Sequence, residues 1–123
     1  MFMRIFVNCS NHPSQKWLGI QVKAAEKYGK IIDVPFPVVD CNLSNTQIEE
    51  LVEQTFAKIM VYCPEAVMCM GEFVVCYKII QQLKIKGVKV LASCSERKVT
   101  EHIEENGMVR KESIFVFRRF REY

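Results

Sequence analysis

Apolar positions along this chain switch between two periods. Short runs of β-branched and aromatic residues alternate with longer stretches whose apolar residues recur every three to four positions. MRIFVNC, at 3–9, predicts a first strand. Over 14–28 a stripe that includes Trp17, Ile20, Ala24 and Tyr28 predicts a helix, with Ser14 as N-cap and Gly29 just past the end. A brief second strand at 30–34 stops at Pro35 and Pro37, which cannot donate to a ladder. Ser44 and Gln47 stand in capping-box register and open a helix over 44–62. AVMCM, at 66–70, is wholly apolar, as a strand buried on both faces must be. Gly71 and Glu72 break it, a helix follows over 73–86, and Gly87 precedes a fourth strand at 88–94 that ends in SERK. Glu105-Asn106-Gly107 then predicts the turn of a hairpin whose second arm covers roughly 113–119.

Three β-α units in succession imply a parallel sheet with right-handed crossovers and helices on both faces. The expected fold is α/β: a three-layer, Rossmann-like parallel sheet, in the order 2-1-3-4 commonest for such a chain, its edge extended by a C-terminal β-hairpin, in one domain over 1–123.

Composition narrows the class. With half of its 123 residues apolar, a quarter charged and a formal net charge of +3, this is an ordinary globular chain. So weak a basic excess does not suit duplex DNA. Neither a secretory apolar region nor a run of about 20 apolar residues is present, so no membrane contact and a cytoplasmic location are expected. The six cysteines show no CxxC and no zinc-type spacing, and read as reduced thiols, mostly in the core. No metal is expected, and no dinucleotide or P-loop glycine motif points to a cofactor.

Order 2-1-3-4 has a chemical consequence. Strands one and three become neighbours while their following helices leave on opposite faces, which opens a crevice at the strand carboxyl ends. The turn after strand one (Asn8, Ser10, Asn11, His12, Ser14) and the turn after strand three (Met70, Gly71, Glu72, Phe73) should face one cleft. The segment after strand four adds Ser93, Ser95 and Arg97 to the rim. Helix N-termini there favour an anion, above all a phosphate, and a guanidinium suits bidentate phosphate contact. Each residue also has a plain structural reading: Ser14 as a turn or cap residue, Glu72 as a first-turn acid, Trp17 as core, Arg97 as half of a solvated pair with Glu96. Convergence of three loops favours a site.

The strand, the Asn11-His12-Pro13 turn and Trp17 in the following helix resemble the start of small CRISPR-associated proteins of type III systems, Rossmann-like relatives of CARF domains. That resemblance implies a homodimer that binds a cyclic oligoadenylate messenger, cyclic tetra-adenylate foremost, and cleaves it without metal. A two-fold dimer would match a two-fold ring. The 2′-hydroxyl would attack the adjacent phosphorus to give a 2′,3′-cyclic phosphate and a free 5′-hydroxyl. His12, a residue type that exchanges protons near neutrality, would act as general acid or base. Ser10 and Ser95 would orient ribose or phosphate, Arg97 would offset developing charge, and Trp17 or Phe73 would stack an adenine.

Two alternatives stand beside this. One is a sponge that holds the messenger without cutting it. The other is a nucleoside deoxyribosyltransferase-like enzyme with Glu72 as nucleophile.

Overall fold

The computed structural model describes residues 3–123, so the first two residues of the expected 1–123 domain lie outside the described residues. Strand β1 (Ile5–Cys9) leads through a short 3-10 turn (Ser14–Lys16) to helix α1 (Gly19–Glu26) and strand β2 (Lys30–Asp33). Helix α2 (Asn45–Met60), strand β3 (Ala66–Cys69), helix α3 (Phe73–Ile85) and the long strands β4 (Lys89–Ile103) and β5 (Val109–Glu122) complete the chain. The fold is mixed α/β, with one five-stranded sheet of order β2-β1-β3-β4-β5. β1 pairs in parallel with β2 and β3, β3 pairs in parallel with β4, and only β5 runs antiparallel.

Strand alternation sorts the core. Val7, Cys9, Val67, Cys69 and Val90 face α2 and α3, where Val52, Ile59, Ile79 and Leu83 are fully buried. Phe6, Ala66, Met68 and Leu91 face the other way, toward Ala25 of α1 and toward Trp17, Tyr28 and Phe120. The helices thus divide as the crossovers require, α1 on one face and α2 with α3 on the other. The capping box at Ser44 forms in full: the Gln47 amide donates to Ser44 Oγ, and the Ser44 amide donates to Gln47 Oε1.

Two elements depart from the sequence reading. The helix expected over 14–28 is broken at Trp17 and Leu18, whose ψ angles of 149° and 151° are extended. Trp17 swings back so that its indole Nε1 donates to the His12 carbonyl (3.2 Å) and its ring meets Phe6 edge-on at 6.3 Å. Ser14 consequently caps no α-helix; it begins the 3-10 turn, and Pro13 precedes it as N-cap.

The second departure is larger. Strand four does not end at Cys94, and SERK is not a loop. β4 continues to Ile103 and is itself one arm of the hairpin, because β5 supplies antiparallel partners for Leu91 through Ile103. Five strands result among the described residues, not six. Between the Ser95↔Phe117 and Cys94↔Arg119 pairs the register shifts, with Arg118 as the extra residue. That bulge reverses the alternation of β5 and brings Phe117 and Phe120 onto one face, ring centroids 4.9 Å apart.

Candidate functional site

The turn after β1 is built from its own hydrogen bonds. Asn8 is 1% exposed, and its Nδ2 donates to the His12 carbonyl (2.9 Å) and to Asp33 Oδ1 (3.1 Å). Its Oδ1 accepts from Ser10 Oγ (2.7 Å), which in turn accepts from the His12 amide (3.2 Å). Asp33 Oδ2 accepts from the Ser14 amide (3.1 Å). Asn8, Ser10 and Ser14 therefore hold the turn's shape, and Asp33, at the end of β2, ties the turn to the sheet. What the brace presents outward is Asn11 and His12, both exposed. Among the described residues, neither side chain takes a protein partner within hydrogen-bond distance.

A cavity of about 640 Å³ opens beside this turn, within the size range of small-molecule sites. Ser10, Asn11 and His12 form one wall, Met70 and Gly71 at the end of β3 another, and Ser93 and Ser95 of β4 a third. The β1 and β3 turns thus share one opening at the carboxyl edge of the sheet. Sequence reasoning missed Lys16, Leu18, Gln21, Met68, Phe115 and Phe117, which also line it. Lys16 follows from the 3-10 turn, and the two phenylalanines follow from the unforeseen length of β5. No carboxylate is in the lining, whereas an ammonium, an imidazole and three aromatic residues are.

Gly71 is fixed by packing: a Cβ there would sit 2.5 Å from the Phe36 ring. Met70 Sδ receives the Ser93 hydroxyl (3.2 Å), a weak bond that leaves Ser93 with hydrogen-bonding capacity. Among the described residues Ser95 Oγ has no protein partner.

Three expected site residues are placed elsewhere. Glu72 caps α3, its two oxygens accepting from the Val74 (3.1 Å) and Val75 (2.8 Å) amides, and it lies outside the lining. Those amides, expected to be free for a phosphate, are already occupied. Phe73 is 90% exposed and borders a separate apolar groove with Tyr77, Ile85 and Tyr123. Arg97 lies on the ribbon arm of β4 rather than on a loop, one outward step past Ser95 on the same face, and its Nε donates to Ser113 Oγ (2.6 Å). The plain structural readings therefore describe Glu72 and Ser14 well, and Trp17 serves both core and cavity.

Behind β3 three buried thiols, Cys9, Cys69 and Cys76, cluster, with Cys69 and Cys76 sulfurs 3.7 Å apart. The hydrogen bond it shares with Cys76, together with the one it shares with Cys9 and burial, pushes the Cys69 thiol well up, while the same contact with Cys69 draws Cys76 down. Burial, and secondarily the Cys76 charge, pushes the Tyr123 phenol up to about 12. All six cysteines are free. Among the described residues no three metal-ligating side chains converge, and no helix is long and apolar enough to cross a membrane.

Residues 4–121 match the model of the Uncharacterized protein MJ1673 family, so the chain belongs to that family. No curated protein matches the chain.

Proposed function

For this member of the MJ1673 family we propose a binding site for a nucleotide phosphodiester, a cyclic oligoadenylate foremost, in the cavity between the β1 and β3 turns of a Rossmann-like, CARF-like domain. One observation carries the reading: a nucleotide-sized cavity offers an imidazole, an ammonium, hydroxyls and aromatic faces, and no carboxylate. Phosphate is favoured by Lys16 and repelled by nothing in the lining. Trp17, half-buried at the cavity wall, supplies a π-face, and base–aromatic stacking contributes about 1–3 kcal/mol per base. The resemblance of Asn11-His12-Pro13 to type III CRISPR-associated proteins supports the choice of ligand.

On this reading the reaction is a 2′-hydroxyl transfer. The new bond joins O2′ to phosphorus, the P–O5′ bond breaks, and the products are a 2′,3′-cyclic phosphate and a 5′-hydroxyl. His12 moves a proton to O5′ or from O2′. Ser95 and Ser93 orient the sugar–phosphate, and Lys16 takes the charge-stabilising part first assigned to Arg97. Ser10 and Asn8 act as positioning residues, because their polar atoms are spent on the turn.

One observation favours the sponge as second reading. His12 is the only imidazole in the lining, with no carboxylate beside it to complete an acid–base pair. Incubation with cyclic tetra-adenylate, followed by chromatography of the products, separates the two. Linear products that disappear in His12→Ala identify a nuclease. An intact ring retained by the protein identifies a sponge. If neither cleavage nor retention occurs at about 10 μM ligand, roughly −7 kcal/mol, the proposed ligand is wrong.

A further inference from the structure

Beyond Arg97 and Phe115, β4 and β5 leave the rest of the molecule and continue as a bare two-stranded ribbon to the turn at Asn106 and Gly107. Such a ribbon is at best marginally stable in water without cover. Its two faces differ. One carries Glu96, Lys98, Thr100, His102, Arg110, Glu112 and Arg118 around Ile114 and Val116, with Glu96–Arg118 and Arg110–Glu112 ion pairs and His102 Nε2 3.6 Å from Glu112. The other continues the cavity wall. Outward from the Ser95–Phe117 pair it presents Arg97 with Phe115, Val99 with Ser113, Glu101 with Lys111 (a loose ion pair, 3.8 Å), and Ile103 with Val109. Its apolar members stand open: Phe115 is 70% exposed, Ile103 80%, Val109 56% and Val99 53%.

We propose that this face packs against the same face of a second copy of the chain, the two ribbons antiparallel about a two-fold axis at Val99. The pattern is self-complementary in that register. Arg97 of each copy meets the other's Glu101, each Phe115 meets a Lys111, and each Ser95–Phe117 pair at the cavity rim is covered by the Ile103–Val109 pair of the other ribbon. An isologous interface requires such reciprocity. The arrangement also gives Arg97 a task outside the cavity.

Nucleic acid does not fit the ribbon, since over its two faces and turn five basic and five acidic side chains balance between Glu96 and Arg118. The area suits a dimer. Nine paired residues per strand span roughly 27 Å, and two strands with their side chains are about 10 Å across. Surface relief roughly doubles that footprint, to about 600 Å² per copy and about 1,200 Å² in all, the lower bound of specific interfaces.

The inference goes beyond the proposed ligand and does not depend on it, so its test contains no nucleotide. Sedimentation velocity at about 50 μM, above the micromolar dissociation expected of so modest an interface, should give twice the 14.3 kDa mass of one chain. Ile103→Asp combined with Val109→Asp should give a monomer that keeps the helical bands of its far-ultraviolet circular dichroism, since both positions are exposed and lie on the ribbon, away from the three α-helices. Arg97→Glu and Glu101→Arg should each weaken the dimer about tenfold or more, and the two together should restore it. A wild-type chain that is monomeric at this concentration overturns the proposal. A dimer indifferent to the aspartates overturns it as well, by pointing to another surface such as the α3 groove. Failure of the paired charge reversal to restore association overturns the register.

Discussion

Replacing Asn8 by leucine tests whether the histidine turn is braced as described. Leucine has nearly the shape of asparagine but can serve none of its three hydrogen bonds. The bonds to the Ser10 hydroxyl and the His12 carbonyl contribute about 1 kcal/mol each, and the one to the Asp33 carboxylate about 1.5, the low end for a charged partner because Asp33 is exposed. Ser10 Oγ can turn to the His12 carbonyl, already 3.3 Å away, and that carbonyl keeps the Trp17 indole, so about 0.5 kcal/mol returns. The expected loss is about 3 kcal/mol. For a chain of this length it corresponds to a fall in Tm of roughly 10 °C, read by circular dichroism or scanning calorimetry. Nucleotide binding should weaken more than stability alone explains at a temperature where the variant is folded, because His12 loses its fixed position. A fall under about 3 °C with unchanged binding would refute the brace and leave Asn8 an incidental buried polar residue.

Three further outcomes follow from the geometry. Gly71→Ala drives a methyl group into the Phe36 ring and should cost about 1–3 kcal/mol, measured by urea unfolding, with the cavity wall displaced. Tyr123→Phe removes the hydroxyl that donates to the Cys69 carbonyl (2.8 Å) and should lower stability by at most about 1 kcal/mol at neutral pH. Because the folded phenol titrates near 12, above its ordinary value, the protonated form stabilises the fold fully below pH 10. Wild-type stability should therefore decline between pH 10 and 12, and Tyr123→Phe should remove that part of the decline. Glu72→Gln keeps the helix cap but not its charge; a loss of about 1 kcal/mol or less with nucleotide cleavage intact is expected, whereas lost cleavage would revive Glu72 as a nucleophile.

The parts of the fold that repeat a period were legible in the sequence. Wholly apolar AVMC could only be an interior strand, and Ser44 with Gln47 announced α2 at its first residue. The parallel order, and with it the meeting of the β1 and β3 turns at one opening, followed from the β-α alternation read with the commonest arrangement of such a sheet. What stayed hidden depends on partners distant in the chain. SERKVTEHI is charged on one face and mixed on the other, so nothing in it names a core; only β5 makes it a strand. The three-residue step from Phe117 to Phe120 breaks strand alternation and makes sense only with the Arg118 bulge. Trp17 carried a helical stripe in the sequence, yet its indole found the His12 carbonyl and the Phe6 ring, and tertiary contact overrode the local preference. These same features hid Lys16, Phe115 and Phe117 from the candidate site.

The central claim is that an anionic nucleotide occupies the cavity beside His12 and Lys16. Isothermal titration of cyclic tetra-adenylate into wild type and Lys16→Glu tests it most directly. Micromolar or tighter binding to the wild type, at least about tenfold weaker with the reversed charge, is the result the account expects. Equal affinity for both proteins, or no heat of binding with either, would contradict it.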